Sequence, residues 1–173
     1  MYANIIAFQI GWFACVLGGA NHLAWLGALI ALTLLTRHIA TAEDALFEFR
    51  LIVIAMVIGL VFDSIPQSLG WIQFAPVDFW PDALPPPWMV MLWGMFASTM
   101  NISLSWLKSK LWLAFILGAV AGPITYWSGT RFGALHLVQP LAAMIYLSIG
   151  WALAVPLLLK IAATKDTVPE AQI

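Results

Sequence analysis

A few polar side chains set among long apolar runs carry the chemistry this sequence offers, and Asp63 comes first. It follows Gly59-Leu60-Val61-Phe62, near the end of an apolar stretch that starts around Ala45. From Arg50 to Asp63 the chain advances 13 residues. That is about 20 Å of helix, against a hydrocarbon core about 30 Å thick. Arg50 can snorkel toward a surface. The shorter Asp63 cannot, so it is expected below the membrane surface, where an ionisable group marks a working site or is held by a structural partner. In the first reading Asp63 is a general acid or base, tuned by Arg131 or His136. In the second it caps a neighbouring helix or pairs with Arg131 to fix the fold. Candidate ligand contacts around Asp63 are Gln67, Trp71, Trp88, His22 and Asn101.

His22 and His136 are also candidates for a proton relay. No HxxH or HExxH spacing accompanies them, so neither a metal nor another cofactor is expected. Walker, GxGxxG and GxSxG patterns are missing too, which leaves nucleotide binding and serine hydrolysis without support.

The elements that must position these residues belong in lipid. The 173 residues are 63% hydrophobic and 9% charged, with a mean hydropathy of +0.96, whereas soluble domains are about 25% charged. One membrane domain is expected over residues 1–160, all-α, with a polar tail at 161–173. A net charge of −1 gives no reason to expect nucleic acid. The single cysteine, Cys15, excludes an intrachain disulfide and a cysteine-cluster zinc site. No Lys or Arg precedes Gly18-Gly19, so a cleaved signal peptide is not expected. Trp12-Phe13-Ala14-Cys15 matches a lipoprotein box poorly because Trp12 is bulky.

Hydrophobic runs and breakers predict six membrane helices over about 4–18, 23–36, 43–65, 87–107, 111–127 and 134–159. Thr41-Ala42-Glu43-Asp44 resembles a capping box ahead of the third. Pro66 is expected to stop that helix, and Pro87 to open the fourth as a first-turn proline. Ser98, Asn101 and Ser105 would then share one face of the fourth helix. Ile10-Gly11, Ile58-Gly59 and Leu117-Gly118 recur in the first, third and fifth helices, as three tandem hairpins would require.

With the N-terminus inside, inner segments hold Arg37, Lys108, Lys110, Lys160 and Lys165, and outer loops hold only Arg131. Both termini are therefore expected in the cytoplasm, and loop 66–86 in the periplasm. Trp71, Trp80 and Trp88 read as an outer aromatic belt, or as a lid guarding an entrance for lipid. Polar residues form an outer layer (Asn21, His22, Asp63, Gln67, Gln73, Tyr126, Arg131, His136) and an inner one (Asn4, Gln9, Glu48, Arg50, Asn101, Ser105). Small-residue faces containing Gly11 and Gly18, and Gly118 and Gly122, are candidate surfaces for a membrane-protein partner or a second copy.

The run Asn4…Gln9-x-Gly11-Trp12…Cys15…Gly18-Gly19, the Phe62-Asp63-Ser64 triplet and the Pro85-Pro86-Pro87-Trp88 helix entry carry a resemblance. Over nearly its whole length the chain resembles a family of small bacterial inner-membrane proteins carrying a domain of unknown function. That resemblance implies a multi-pass protein of the bacterial inner membrane and transfers no activity. Phe62-Asp63, Gly70-Trp71 and Phe74 are also similar to a pattern in polytopic carotenoid cyclases, which protonate a polyene with intramembrane carboxylates. Here Trp71 is displaced by one position and the expected membrane glutamates are missing.

The leading expectation is a protein that binds or moves a membrane lipid or other small hydrophobic ligand at an outward-facing polar site. The alternatives are an intramembrane enzyme acting on a lipid or isoprenoid through Asp63, and a structural or assembly subunit of a membrane complex.

Overall fold

The computed structural model describes residues 1–167, among which six α-helices form the fold. They are α1 (Tyr2–Ala20), α2 (Ala24–Ala40), α3 (Ala45–Ser68), α4 (Pro87–Ala97), α5 (Leu111–Phe132) and α6 (Pro140–Ala163). Strand β1 (Ile72–Phe74) pairs antiparallel with β2 (Leu135–Leu137), with Gln73 opposite His136. Helices α1, α3, α5 and α6 are each long and apolar enough to cross a membrane. The expected tail begins as a short 3-10 turn, Thr164–Thr167; its remainder lies outside the described residues.

Burial is inverted relative to a soluble protein. On α1 the buried residues include Gly11, Gly18 and Gly19, while Ile6, Ile10, Phe13 and Leu17 are exposed. On α3 Val53, Ile54, Val57 and Val61 face outward, and on α5 Ile116, Val120 and Ile124 do so. Small residues face inward because helices associate in lipid by close backbone approach, and the apolar exterior meets acyl chains. This is the surface of an integral membrane protein.

Helix α4 is central, packing on α1, α2 and α3. Hairpin α5–α6 forms a second unit, joined to the first through α3–α6 and a slight α1–α5 contact. The start of α1 and the end of α6 share one end of the bundle: Asn4 is bound to Ser98 and Ser103, and Lys165 approaches Glu43. The β1–β2 strand pair and the 75–86 segment cover the other end.

Three boundaries differ from the sequence reading, each for a tertiary reason. Pro66 does not stop α3, which runs through it to Ser68. A proline at 66 leaves the carbonyl of residue 62 without its helical donor, and the Tyr146 hydroxyl of α6 donates to the Phe62 carbonyl at 2.7 Å. Ser148, two positions on, does the same for Pro123 of α5, donating to the Ala119 carbonyl at 3.0 Å. Secondly, α4 ends at Ala97 instead of continuing to 107, and residues 98–104 form successive turns. Irregular backbone is tolerated at such a place because it is buried in protein; Ser98, Thr99, Met100 and Ser103 are all buried. Ser98 and Ser105 consequently share no helix face; their hydroxyls bind the carbonyls of Met95 and Ile102. Thirdly, α6 starts at Pro140, because residues 135–137 pair as β2. Gly133, in the left-handed region at φ 84°, closes α5 and allows that turn.

The glycine faces expected to meet a partner are filled from within. A side-chain carbon at Gly11 would collide with Met95, one at Gly18 with the Leu23 carbonyl, and one at Gly118 or Gly122 with Trp151.

Candidate functional site

Helix α3 turns one continuous buried face to its neighbours: Glu48, Ile52, Ala55, Gly59, Asp63 and Pro66, spaced by threes and fours. Gly59 lies one turn before Asp63. Its missing side chain leaves a notch that the Trp93 indole occupies, so close that a Cβ at 59 would overlap the ring. The notch brings Trp93 Nε1 to Asp63 Oδ2, where it donates a hydrogen bond at 2.8 Å. From α5 the Tyr126 hydroxyl donates to Asp63 Oδ1. Asp63 is 0% exposed, so three helices converge on a carboxyl that solvent does not reach.

Arg131 is not its partner. The Arg131 guanidinium lies 5.0 Å from the Trp127 ring, one turn back on α5 and exposed. Among the described residues no ion pair reaches Asp63. Aromatic packing completes the centre. Trp151 of α6 stacks on Trp93 with centroids 4.5 Å apart, Phe62 stacks on Tyr146 at 4.8 Å, and Phe96 meets Trp151 edge-on at 5.2 Å.

These long rings bridge α4 to α6 and hold the two units apart. The gap they leave is a cavity of about 330 Å³ between α1, α4, α5 and α6. Phe8, Trp12, Trp88, Leu92 and Val155 are among its lining residues, and Gly118, Ala121, Gly122, Thr125 and Gly129 form the α5 wall. Leu117, Ala121 and Thr125 of α5 are exposed as well as lining, so the cavity reaches the outer surface along α5. Trp12 and Phe13 of α1 each meet Phe132 of α5 edge-on, at 6.0 and 6.2 Å. Trp93 and Tyr126 line the cavity and Asp63 does not; the carboxyl stands behind its two donors.

The other residues singled out from sequence are dispersed. Trp88 is buried in the cavity wall. Trp71 packs edge-on against Tyr146 at 6.1 Å. Gln67 lies in a separate polar cleft at the strand-pair end, donating through Nε2 to the carbonyls of Asp82 and Leu84. His22 is exposed in the α1–α2 turn with φ 59°, and His136 is exposed on β2 opposite Gln73. Asn101 sits toward the terminal end, donating to Glu48 Oε1 at 2.7 Å. Glu48 is 3% exposed and its Oε2 meets His38 Nε2 at 3.0 Å. Trp93, Trp151 and His38 were not singled out. Gly59, one helical turn from Asp63, was the local signal that a large side chain must enter there.

With this geometry established, comparison with family models matches residues 1–157 to one described as "Protein of unknown function (DUF2878)". The chain belongs to the DUF2878 family. No curated protein and no solved structure matches it. Membership covers both the α1–α4 unit and most of hairpin α5–α6, so the whole cavity wall falls within the family domain.

Proposed function

We propose that this protein binds a lipid-like or small hydrophobic ligand in the cavity between its two units, within the bacterial inner membrane, and moves or presents it there. The observation that carries this reading is the cavity: about 330 Å³, inside the usual range of ligand sites of about 300–1,000 Å³, almost wholly apolar, with its mouth on the lipid-facing side. A membrane supplies chains to fill it. The reading differs from the sequence expectation in place: the entrance is lateral, along α5, instead of beneath the loop. Five cations at the terminal end against Arg131 at the other support a cytoplasmic location for both termini.

The same geometry weighs against the alternatives. Acid–base chemistry at Asp63 needs the carboxyl to reach a ligand, and Trp93 and Tyr126 stand between. Arg131 and His136 are exposed elsewhere. A partner docking on the glycine faces would have to displace Met95 or Trp151.

Native mass spectrometry of the full chain extracted in mild detergent tests the reading. Wild type should retain an apolar adduct, and Ala121→Trp, which fills the mouth, should lose it. Absence of an adduct from wild type, or equal retention by a helical, monodisperse Ala121→Trp variant, would reject the proposal.

A further inference from the structure

The cavity is a slot. Leu117, Ala121, Thr125 and Gly129 of α5 line it on four successive turns. Twelve residues separate the first from the last, about 18 Å of helix rise. Leu135, packed against Gly129, lines one end, and Leu107, in the turns beyond α4, lines the other. A volume of about 330 Å³ spread over about 18 Å leaves a section of about 18 Å², the girth of a single extended hydrocarbon chain. No Lys, Arg, His, Asp or Glu lines the slot. A charged head would be desolvated inside it without a counter-charge, which is prohibitively unfavourable. Only the hydrocarbon part of a lipid belongs there, and any polar head stays outside.

The outer surface of α5 shows what a head would meet. Leu117, Ala121, Thr125, Ser128 and Arg131 follow at spacings of four, four, three and three, so they form one stripe that winds up the helix from the opening. Arg131 is the only Lys or Arg between Lys110 and Lys160. Helical side chains lean toward the helix N-terminus, and Arg131 does so: its guanidinium lies over the Trp127 ring, 5.0 Å from the centroid. That brings the positive charge down toward the level of Thr125, where the slot opens. Among the described residues no acidic side chain pairs with it. A guanidinium offers a fork of N–H donors that fits the oxygens of a phosphate or carboxylate. We propose that the ligand is an anionic lipid, with one hydrocarbon chain in the slot and a phosphate or carboxylate head outside it, held by Arg131. The inference rests on the proposed function and adds the ligand's chemical class.

The test is competition against methyl cis-parinarate, a fluorescent neutral ester, on the full chain in non-ionic detergent micelles. Oleyl phosphate and oleate supply the two anionic heads, methyl oleate supplies the uncharged control, and geranylgeranyl phosphate tells an isoprenoid tail from an acyl one. Each competitor is compared between wild type and Arg131→Gln, so its partition into the micelle cancels. A partly exposed charge pair predicts that Arg131→Gln weakens the fitting anion about 3- to 10-fold. Methyl oleate should be unchanged, and Arg131→Lys should recover part of the loss. The anion that loses most names the head. On wild type alone, raising the ionic strength to about 1 M, where the Debye length is about 3 Å, should weaken the anions relative to methyl oleate. Anion affinities unchanged by Arg131→Gln, an equal loss for methyl oleate, or anion affinities indifferent to salt would overturn the inference and leave the ligand site standing. Failure of the probe and every competitor to bind would overturn the proposed function itself.

Discussion

Replacing Tyr126 with phenylalanine removes one oxygen, and with it one of the two hydrogen bonds to the Asp63 carboxyl. The ring, its burial and its place in the cavity wall are kept. In water-soluble proteins a hydrogen bond to a charged group contributes about 1.5–3 kcal/mol, and orphaning a buried acceptor costs about 1–3 kcal/mol. Inter-helical hydrogen bonds in membranes run lower, near 0.6 and at most about 1.7 kcal/mol. With Asp63 fully buried and no cation beside it among the described residues, Tyr126→Phe should cost about 1–2 kcal/mol. Asp63→Leu orphans both donors and should cost about 2–4 kcal/mol. The double variant is the informative one. In the leucine background the tyrosine hydroxyl has already lost its acceptor, so its removal should be nearly neutral. The two single changes should therefore be non-additive by about 1–2 kcal/mol. Unfolding by SDS titration in mixed micelles, followed by circular dichroism, reads all three. Additivity within about 0.5 kcal/mol would refute the claim that the hydroxyl is held by this carboxyl.

Four further outcomes follow from the packing. Gly59→Ala places a methyl group inside the Trp93 ring and should cost about 1–3 kcal/mol in the same titration by overpacking. Tyr146→Phe and Ser148→Ala each expose a carbonyl orphaned by proline, and each should lower stability by about 0.5–2 kcal/mol. The pair together should sum, since they serve different helices. Glu48→Ala leaves Asn101 and His38 without their shared acceptor and should cost about 1–3 kcal/mol, whereas Glu48→Gln should recover part of that. In a Cys15→Ala background, Asp78→Cys should react with a membrane-impermeant maleimide on intact cells and Ser109→Cys should not; the reverse would invert the orientation.

What could be read from the chain alone divides along sequence distance. Some helix starts were legible because their signals are local: Pro87 opens α4, and the polar run 41–44 marked the start of α3, although the cap is Asp44, which accepts from the Phe47 N–H at 2.9 Å, and Thr41 instead closes α2. That Asp63 needs a partner was legible as well, since an ionisable side chain in an apolar helix is costly to leave unpaired, and the carboxyl is fully buried between two donors. Helix ends were not, because distant partners set them. Pro66 is carried by a tyrosine 84 positions from the Phe62 carbonyl it serves. The early end of α4 depends on Asn4, 94 positions from the Ser98 carbonyl it serves. The site followed the same rule. Asp63 and Tyr126 could be placed in one polar layer by depth. That Trp93 enters the Gly59 notch, and that its ring and Trp151 prop α6 away from α4, requires all four helices at once. The lateral cavity is a product of that propping, and no local pattern announces it.

The central claim is that a chain from the membrane occupies the seam between the α1–α4 unit and hairpin α5–α6. The most direct measurement is an electron cryo-microscopy map of the full protein in lipid nanodiscs, with a rigid binder added for size. The account predicts elongated density entering between Ala121 of α5 and Phe8 of α1 and filling the cavity. A seam closed by direct α1–α5 packing, or an open seam without such density, would contradict it.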